Sequence, residues 1–200
     1  MLLNTALIVA LSLAAYLIGS IPVGVIVGRL RGFDPRRIGS GNIGMTNVAR
    51  AAGRGAAAIT FAGDFLKGAI PVIAAHLLGL DATATSIVAF AAFAGAIFSA
   101  FLGFEGGRGI STSLGIWMVL APAPALIALA IFLAVVAVTR IVSAGSLCAA
   151  IALPVTIIIM SLPHVYSALV IAMALLILFR HRENIQRLMA GEEPRLRKSA

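Results

Sequence analysis

Residues 141–179 read IVSAGSLCAAIALPVTIIIMSLPHVYSALVIAMALLILF, 39 positions without one Asp, Glu, Lys or Arg. A helix that crosses a bilayer needs about 20 predominantly apolar residues. The stretch is long enough for two, and Ser161-Leu162-Pro163-His164 marks the turn between them. The same reading extends outward. Gly109–Thr139 is uncharged for 31 residues, and Pro122 and Pro124 interrupt it. This predicts two short spans, about Ile110–Leu120 and Ala125–Thr139, with one kinked helix as the alternative. Ala82–Phe104 is uncharged for 23 residues and forms another span. Gly68–Leu80 has only 13 residues, so its span must start near Phe61, which places Asp64 and Lys67 in its first turns. Met1–Gly28 carries no charge and supplies the first span, about Thr5–Val27. Pro22 is tolerated there where neighbours satisfy the freed carbonyl. It lacks the basic start and small-residue cleavage site of a signal peptide.

Composition agrees. Of 200 residues, 61% are hydrophobic and 11% charged, against about 25% charged in soluble domains. Mean hydropathy is +1.09. A soluble domain of this size cannot hide that much apolar surface, and a disordered chain would not carry it. The single cysteine, Cys148, excludes an internal disulfide and a CxxC site. The fold class expected is all-α, a polytopic integral membrane bundle of about seven transmembrane helices. It forms one transmembrane domain over residues 1–200, with loops 29–54 and 104–111 and a basic tail, 180–200. With the N-terminus outside and the C-terminus cytoplasmic, the inner segments hold six, one, one, one and six basic residues, all 15 in the chain. A six-span count would strand Arg140 and the tail on the wrong side. The net charge of +8 then reflects this bias and attraction to anionic lipid headgroups. Without aromatic interleaving it does not indicate nucleic acid.

In a chain this apolar, polar clusters are candidates for function. Gly39-Ser40-Gly41-Asn42-Ile43-Gly44-Met45-Thr46-Asn47-Val48-Ala49-Arg50 contains a formal G-x-G-x-x-G, but no βαβ unit surrounds it. Its glycines let backbone N–H groups face an anion, Ser and Asn add donors, and Arg50 adds a phosphate-matched fork; a cytoplasmic loop with topology-setting arginines is the alternative. Asp64 and Lys67 stand at i,i+3 and pair on one helix face, either structurally or with Asp64 orienting Lys67 toward a phosphate. Gly103–Thr112 contains Gly106, Gly107 and Arg108 and opens a helix at Ser111, a setting for an anion or simply a capped turn. In Arg180–Leu188, His181 and Asn184 share a helix face; an interfacial helix with snorkelling arginines is the alternative. His76 and His164 read as structural, Asp81 as an outer-loop residue, and Trp117 and Tyr166 as packing or interface anchors. No His and carboxylate set has metal-ligand spacing, so no metal is proposed. The clusters together supply donors and cations on one face for two phosphate-bearing ligands, and residue chemistry alone names no reaction.

These clusters, in this order, resemble the acyl-phosphate-dependent glycerol-3-phosphate acyltransferases of bacteria, the PlsY family. The resemblance rests on Gly39–Gly44 running into Thr46-Asn47-Val48 and Arg50, then Asp64-Phe65-Leu66-Lys67-Gly68, Phe101-Leu102-Gly103-Phe104, Gly106-Gly107 and Gly109, and His181-Arg182-Glu183-Asn184-Ile185. Gly19-Ser20-Ile21-Pro22 also looks like the family. The resemblance implies acyl transfer from acyl phosphate to the sn-1 hydroxyl of glycerol 3-phosphate. The products are lysophosphatidic acid and phosphate, in the first acylation of phospholipid synthesis. It implies no cofactor, location in the bacterial inner membrane with the active site facing the cytoplasm, and a functional link to an enzyme that produces acyl phosphate. It places His181 and Asn184 as catalytic residues. Ser40, Gly41, Asn42, Asn47, Arg50, Lys67, Gly106, Gly107, Arg108 and Ser111 become substrate-binding, with Asp64 orienting. The base is His181 or a phosphate oxygen of a substrate.

The chain departs from the pattern at Glu105-Gly106-Gly107-Arg108, where the family usually has Lys-Gly-Gly-Lys, and at Gly95-Ala96 and Ser99, where it usually has Gly-His and Pro. The alternatives are a divergent paralogue with another polyol-phosphate acceptor, or a small lipid-binding membrane protein or transporter. A transporter favours polar residues at the midplane and an internal repeat; neither is visible here.

Overall fold

The computed structural model describes residues 2–196, with side chains from Thr5 onward; Met1 and the last four residues of the basic tail lie outside the described residues. Among the described residues there are helices and connections and no strand. The helices are α1 (Leu2–Ser20), α2 (Val23–Leu30), α3 (Met45–Leu77), α4 (Ala82–Ile97), α5 (Ile110–Leu120), α6 (Pro122–Thr139), α7 (Val142–Ile159), α8 (His164–Arg180) and α9 (Arg182–Met189). Five segments are long and apolar enough to cross a membrane: Thr5–Leu30, Met45–Leu77, Ala82–Leu102, Pro122–Thr139 and Val142–Ile159. A sixth arises if α8 and α9, bent by 60°, are one span. Two helices stand where the proline pair predicted a division, parted at Ala121. Helix α5 has only 11 residues, about 17 Å at 1.5 Å per residue, roughly half of a hydrocarbon core.

The helices fall into two compact units, one within Met1–Leu120 and the other within Ala121–Ala200. In the first, α1 packs along α4 through glycines. A Cβ on Gly19 would fall on the Ala92 carbonyl, and one on Gly95 on the Tyr16 carbonyl. Small residues permit this backbone approach, the usual basis of helix association in lipid. The Tyr16 hydroxyl donates to the Phe98 carbonyl at 2.7 Å. Pro22 cannot donate an N–H, and the first span breaks there into α1 and α2. The carbonyls freed at the break are satisfied from elsewhere in the first unit: Ser99 Oγ, just beyond α4, donates to the Ser20 carbonyl at 2.6 Å, and Lys67 Nζ of α3 to the Ile21 carbonyl at 3.2 Å.

The second polar region needs a correction. Its helix begins at Met45, not near Phe61, and Asp64 and Lys67 lie well inside it. Residues 45–52, expected as loop, are helical because Ala-rich sequence favours helix even in a polar stretch. Gly53 (φ 78°, ψ −177°) breaks that helix internally, a conformation available to glycine and costly for other residues. Beyond it, α3 packs on α5 with reciprocal glycines. A Cβ on Gly68 would meet the Thr112 carbonyl, and one on Gly115 the Phe65 carbonyl.

In the second unit, α6 packs on α7 and α7 on α8. Gly145 lets α7 approach Phe132 and Val136 of α6. The tail beyond α9 returns to the α6–α7 corner, where Leu196 N–H donates to the Arg140 carbonyl at 2.7 Å and Arg140 Nη2 to the Leu196 carbonyl at 2.6 Å. Leu13, Leu17, Leu133, Val138, Ile151 and Leu175 are exposed. In a bilayer these side chains face hydrocarbon, so their exposure carries no hydrophobic penalty.

Candidate functional site

The first cluster is a shaped loop between α2 and α3. Asp34 opens a 3₁₀ turn over Pro35–Arg37 and accepts the Arg36 N–H. It also grips the Arg36 guanidinium, with Nε at 3.0 Å and Nη2 at 2.6 Å. Those hydrogen bonds pull the Asp34 carboxyl down to about 2. Arg36 is raised above its ordinary value by the Asp34 hydrogen bond and charge, with a smaller push from Glu105. Glu105, the acidic departure in the third cluster, thus lies within electrostatic reach of an arginine of the first.

Gly39 (φ 57°) and Gly41 (φ 68°) turn the chain through left-handed conformations on either side of exposed Ser40. Asn47, 1% exposed, clasps this loop from the first helical turns of α3. Its Oδ1 accepts the Ser40 N–H at 3.1 Å. Its Nδ2 donates to the Pro35 carbonyl at 2.8 Å and the Ile38 carbonyl at 3.0 Å. The Asn47 amide is thereby occupied by the loop, whose shape it holds. A recess of about 320 Å³ opens beside it, lined by Ile38, Gly39, Asn47, Arg50 and Ala51. Arg50 is exposed and forms no ion pair among the described residues.

Asp64 and Lys67 do pair, at 2.8 Å, with side chains 14% and 7% exposed. Lys67 also reaches the Ile21 carbonyl at the proline break. Two of its three N–H donors therefore serve protein groups, and Asp64 orients it toward the break in the first span. Gly68, the next residue, is the close-contact glycine against Thr112 of α5.

The third cluster docks on the end of α4. Gly106 N–H donates to the Ile97 carbonyl at 3.0 Å and Gly107 N–H to the Ala96 carbonyl at 2.9 Å. These amides cap α4. The glycines are needed for space: a Cβ on Gly106 would meet both of those carbonyls. Gly107 also lies beside the first cluster, where a Cβ would sit 3.8 Å from Asn42 Oδ1 and 3.5 Å from Ile43 Cγ1. Arg108 and Ser111 are half-buried at the start of α5, which runs over Ile110–Leu120 as the span reading expects. Ser40, Gly41 and Asn42 in the first loop, Gly106 and Gly107 in the adjoining one, and Asn47 and Arg50 at the start of α3 thus belong to the first unit.

The fourth cluster lies at the α8–α9 bend. His181 and Asn184 are both 1% exposed. His181 Nδ1 lies 2.8 Å from the Ile177 carbonyl. A carbonyl only accepts, so Nδ1 carries a proton in this contact. Asn184 Nδ2 donates to Glu193 Oε1 at 2.5 Å. Glu193 also accepts from Ser143 Oγ at 2.7 Å and Arg187 Nε at 2.8 Å. Burial raises the Glu193 carboxyl, but the three hydrogen bonds and the Arg187 charge outweigh it and leave it below its ordinary value. Sequence reading singled out neither Glu193 nor Ser143. The hint was a pair of adjacent acids, Glu192 and Glu193, inside a tail whose net charge is basic. Among the described residues no three His, Cys, Asp or Glu side chains gather to hold a metal ion.

Comparison with known proteins places this arrangement. The family model for glycerol-3-phosphate acyltransferase matches residues 9–191. A glycerol-3-phosphate acyltransferase of Thermus thermophilus is 47% identical over 184 residues, 92% of each chain. One of Geobacter sulfurreducens is 42% identical over 187 residues, 94% of this chain and 96% of the relative. The crystal structure of PlsY (YgiH), an integral membrane glycerol 3-phosphate acyltransferase in its glycerol 3-phosphate form, superposes with a TM-score of 0.91 at 37% identity, covering 95% and 96% of the two chains. Its lysophosphatidic acid form gives 0.89. The chain belongs to the glycerol-3-phosphate acyltransferase family of integral membrane proteins.

Proposed function

We propose that this chain transfers a fatty acyl group from acyl phosphate to the sn-1 hydroxyl of glycerol 3-phosphate, releasing lysophosphatidic acid and inorganic phosphate. The observation that carries the reading is the clasped 35–50 loop, whose recess is lined by an arginine that pairs with no carboxylate among the described residues. Family membership supports this reaction. The acceptor hydroxyl oxygen attacks the acyl carbonyl carbon. The carbonyl carbon–oxygen bond to phosphate breaks, and phosphate leaves with the bonding electrons. The hydroxyl proton passes to His181 Nε2 or to a phosphate oxygen of a substrate.

Acyl phosphate is already activated, so the protein's chief task is to hold two anions together against their repulsion and align them. Arg50, with Ser40 and Asn42 beside it, binds a phosphate, and Arg108 offsets charge growing on the leaving group. Lys67, held by Asp64 and Ile21, keeps one remaining donor for the same anions. Asn47, Gly41, Gly106, Gly107 and Ser111 form the walls. Asn184 meets the acceptor beside His181. The chain acts as one transmembrane domain in the bacterial inner membrane, with seven membrane segments, α5 short among them. Its N-terminus is outside and its C-terminus cytoplasmic, and the clusters face the cytoplasm, where an enzyme producing acyl phosphate supplies the donor. If positioning dominates, Arg50→Ala loses more turnover than His181→Ala. The opposite ranking in folded variants would refute that division of labour.

A further inference from the structure

We propose that Glu193 is a positioning residue that fixes the orientation of the Asn184 amide, so that Asn184 presents its carbonyl oxygen and recognises a hydroxyl donor of the acceptor rather than a phosphate. The inference rests on the reading of Asn184 as part of the acyltransferase site, and it concerns a residue two positions beyond the matched family region, which ends at 191.

An asparagine amide offers a donor on one side and an acceptor on the other, and which side faces a ligand decides what it binds. Here one side is settled by chemistry. The Glu193 carboxylate lies 2.5 Å from the amide. It is an acceptor only, so the inverted amide would set oxygen against oxygen. Ser143 from the start of α7 and Arg187 from α9 donate to the same carboxylate. They hold it in place and keep it ionised, and therefore unable to donate in turn. The Glu193 side chain is 7% exposed, so water does not easily substitute. With Nδ2 engaged, Asn184 Oδ1 is buried and has no hydrogen-bond partner among the described residues. A buried acceptor without a donor is uncommon in folded proteins and calls for a reason. A fully ionised phosphate, which presents acceptors alone, does not satisfy it. An alcohol can.

The test uses the full-length protein in lipid, with acyl phosphate and glycerol 3-phosphate, and exchanges the two functional groups. Glu193→Gln supplies an amide that can donate, freeing Asn184 to invert. kcat/KM for glycerol 3-phosphate should fall about tenfold while KM for acyl phosphate stays within about twofold. Asn184→Asp alone sets two carboxylates together and should lose at least as much. The double variant restores the pairing with donor and acceptor reversed, still presents an acceptor oxygen, and should recover most of the loss. Ser143→Ala removes another donor to Glu193 without touching Asn184 and controls for loosening of the tail; it should stay within about threefold of wild type, and equal losses in Ser143→Ala and Glu193→Gln would overturn the proposal. A double variant no better than the worse single variant, with melting midpoints near wild type, would also overturn it. Full activity in Glu193→Gln would do the same while leaving the acyltransferase reading intact. Absence of turnover by wild-type protein would instead remove that reading and this inference together.

Discussion

Asn47→Ala separates a residue that shapes the binding loop from one that touches substrate. The Asn47 side chain makes three hydrogen bonds, to Ser40 N–H and to the carbonyls of Pro35 and Ile38. Each contributes about 0.5–1.5 kcal/mol net, so their loss weakens the folded loop by about 1.5–4.5 kcal/mol. Since 1.4 kcal/mol is a factor of ten, loop opening becomes about ten to a thousand times more frequent. Amide hydrogen exchange in protein without substrate reads this directly: the Ser40 amide should exchange at least about tenfold faster. Asn47→Asp sharpens the test. It keeps an acceptor for Ser40 N–H but sets a carboxylate against two carbonyls, so it should be at least as harmful as alanine. Unchanged exchange in Asn47→Ala, with lost activity, would refute the clasp and return Asn47 to direct substrate contact. A milder Asn47→Asp would contradict the hydrogen-bond geometry.

Other outcomes follow from the same geometry. Lys67→Met leaves Asp64 buried without its counter-charge and should cost about 3–5 kcal/mol, read as a lowered melting midpoint in detergent. Pairing it with Asp64→Leu should recover stability, but activity should stay low if the third Lys67 donor serves the substrate. Gly68→Ala pushes a methyl group onto the Thr112 carbonyl and should destabilise by about 1–3 kcal/mol, with α3–α5 packing lost before the loop is affected. The Asp34 carboxyl, pulled from 3.8 to about 2 by its hydrogen bonds to Arg36, contributes stability that is fully present above the unfolded value. That contribution falls away as pH drops through about 2. NMR titration should show the low midpoint, and Arg36→Gln should return it toward 3.8.

Much of the fold was legible because charge is so scarce. Runs without Asp, Glu, Lys or Arg can only be apolar helices in a chain this hydrophobic, and Pro122 and Pro163 punctuate them by removing donors. Residues 45–52 were not legible, because Thr46, Asn47 and Arg50 between the flanking Gly44 and Gly53 imitate a loop while Ala49, Ala51 and Ala52 favour helix. Nor was it legible that Asp64 and Lys67 sit deep in α3. Lys67 is accommodated by the Ile21 carbonyl, which only the fold brings near. The clusters themselves stood out by composition, since a bilayer gives polar groups little other reason to gather. Their internal division of labour did not. Asn47 and Asn184 look alike in sequence, yet one amide is consumed by its own loop and the other is half-engaged by Glu193. That distinction depends on which acceptors the chain returns to each side chain.

The central claim, acyl transfer from acyl phosphate, is tested most directly by the choice of donor. Purified protein in lipid receives glycerol 3-phosphate with either palmitoyl phosphate or palmitoyl-CoA, and lysophosphatidic acid and released phosphate are measured together. The account predicts one phosphate released for each lysophosphatidic acid formed from palmitoyl phosphate, and no product from the CoA ester. Product from palmitoyl-CoA alone, or none from either donor with folded protein, would contradict it.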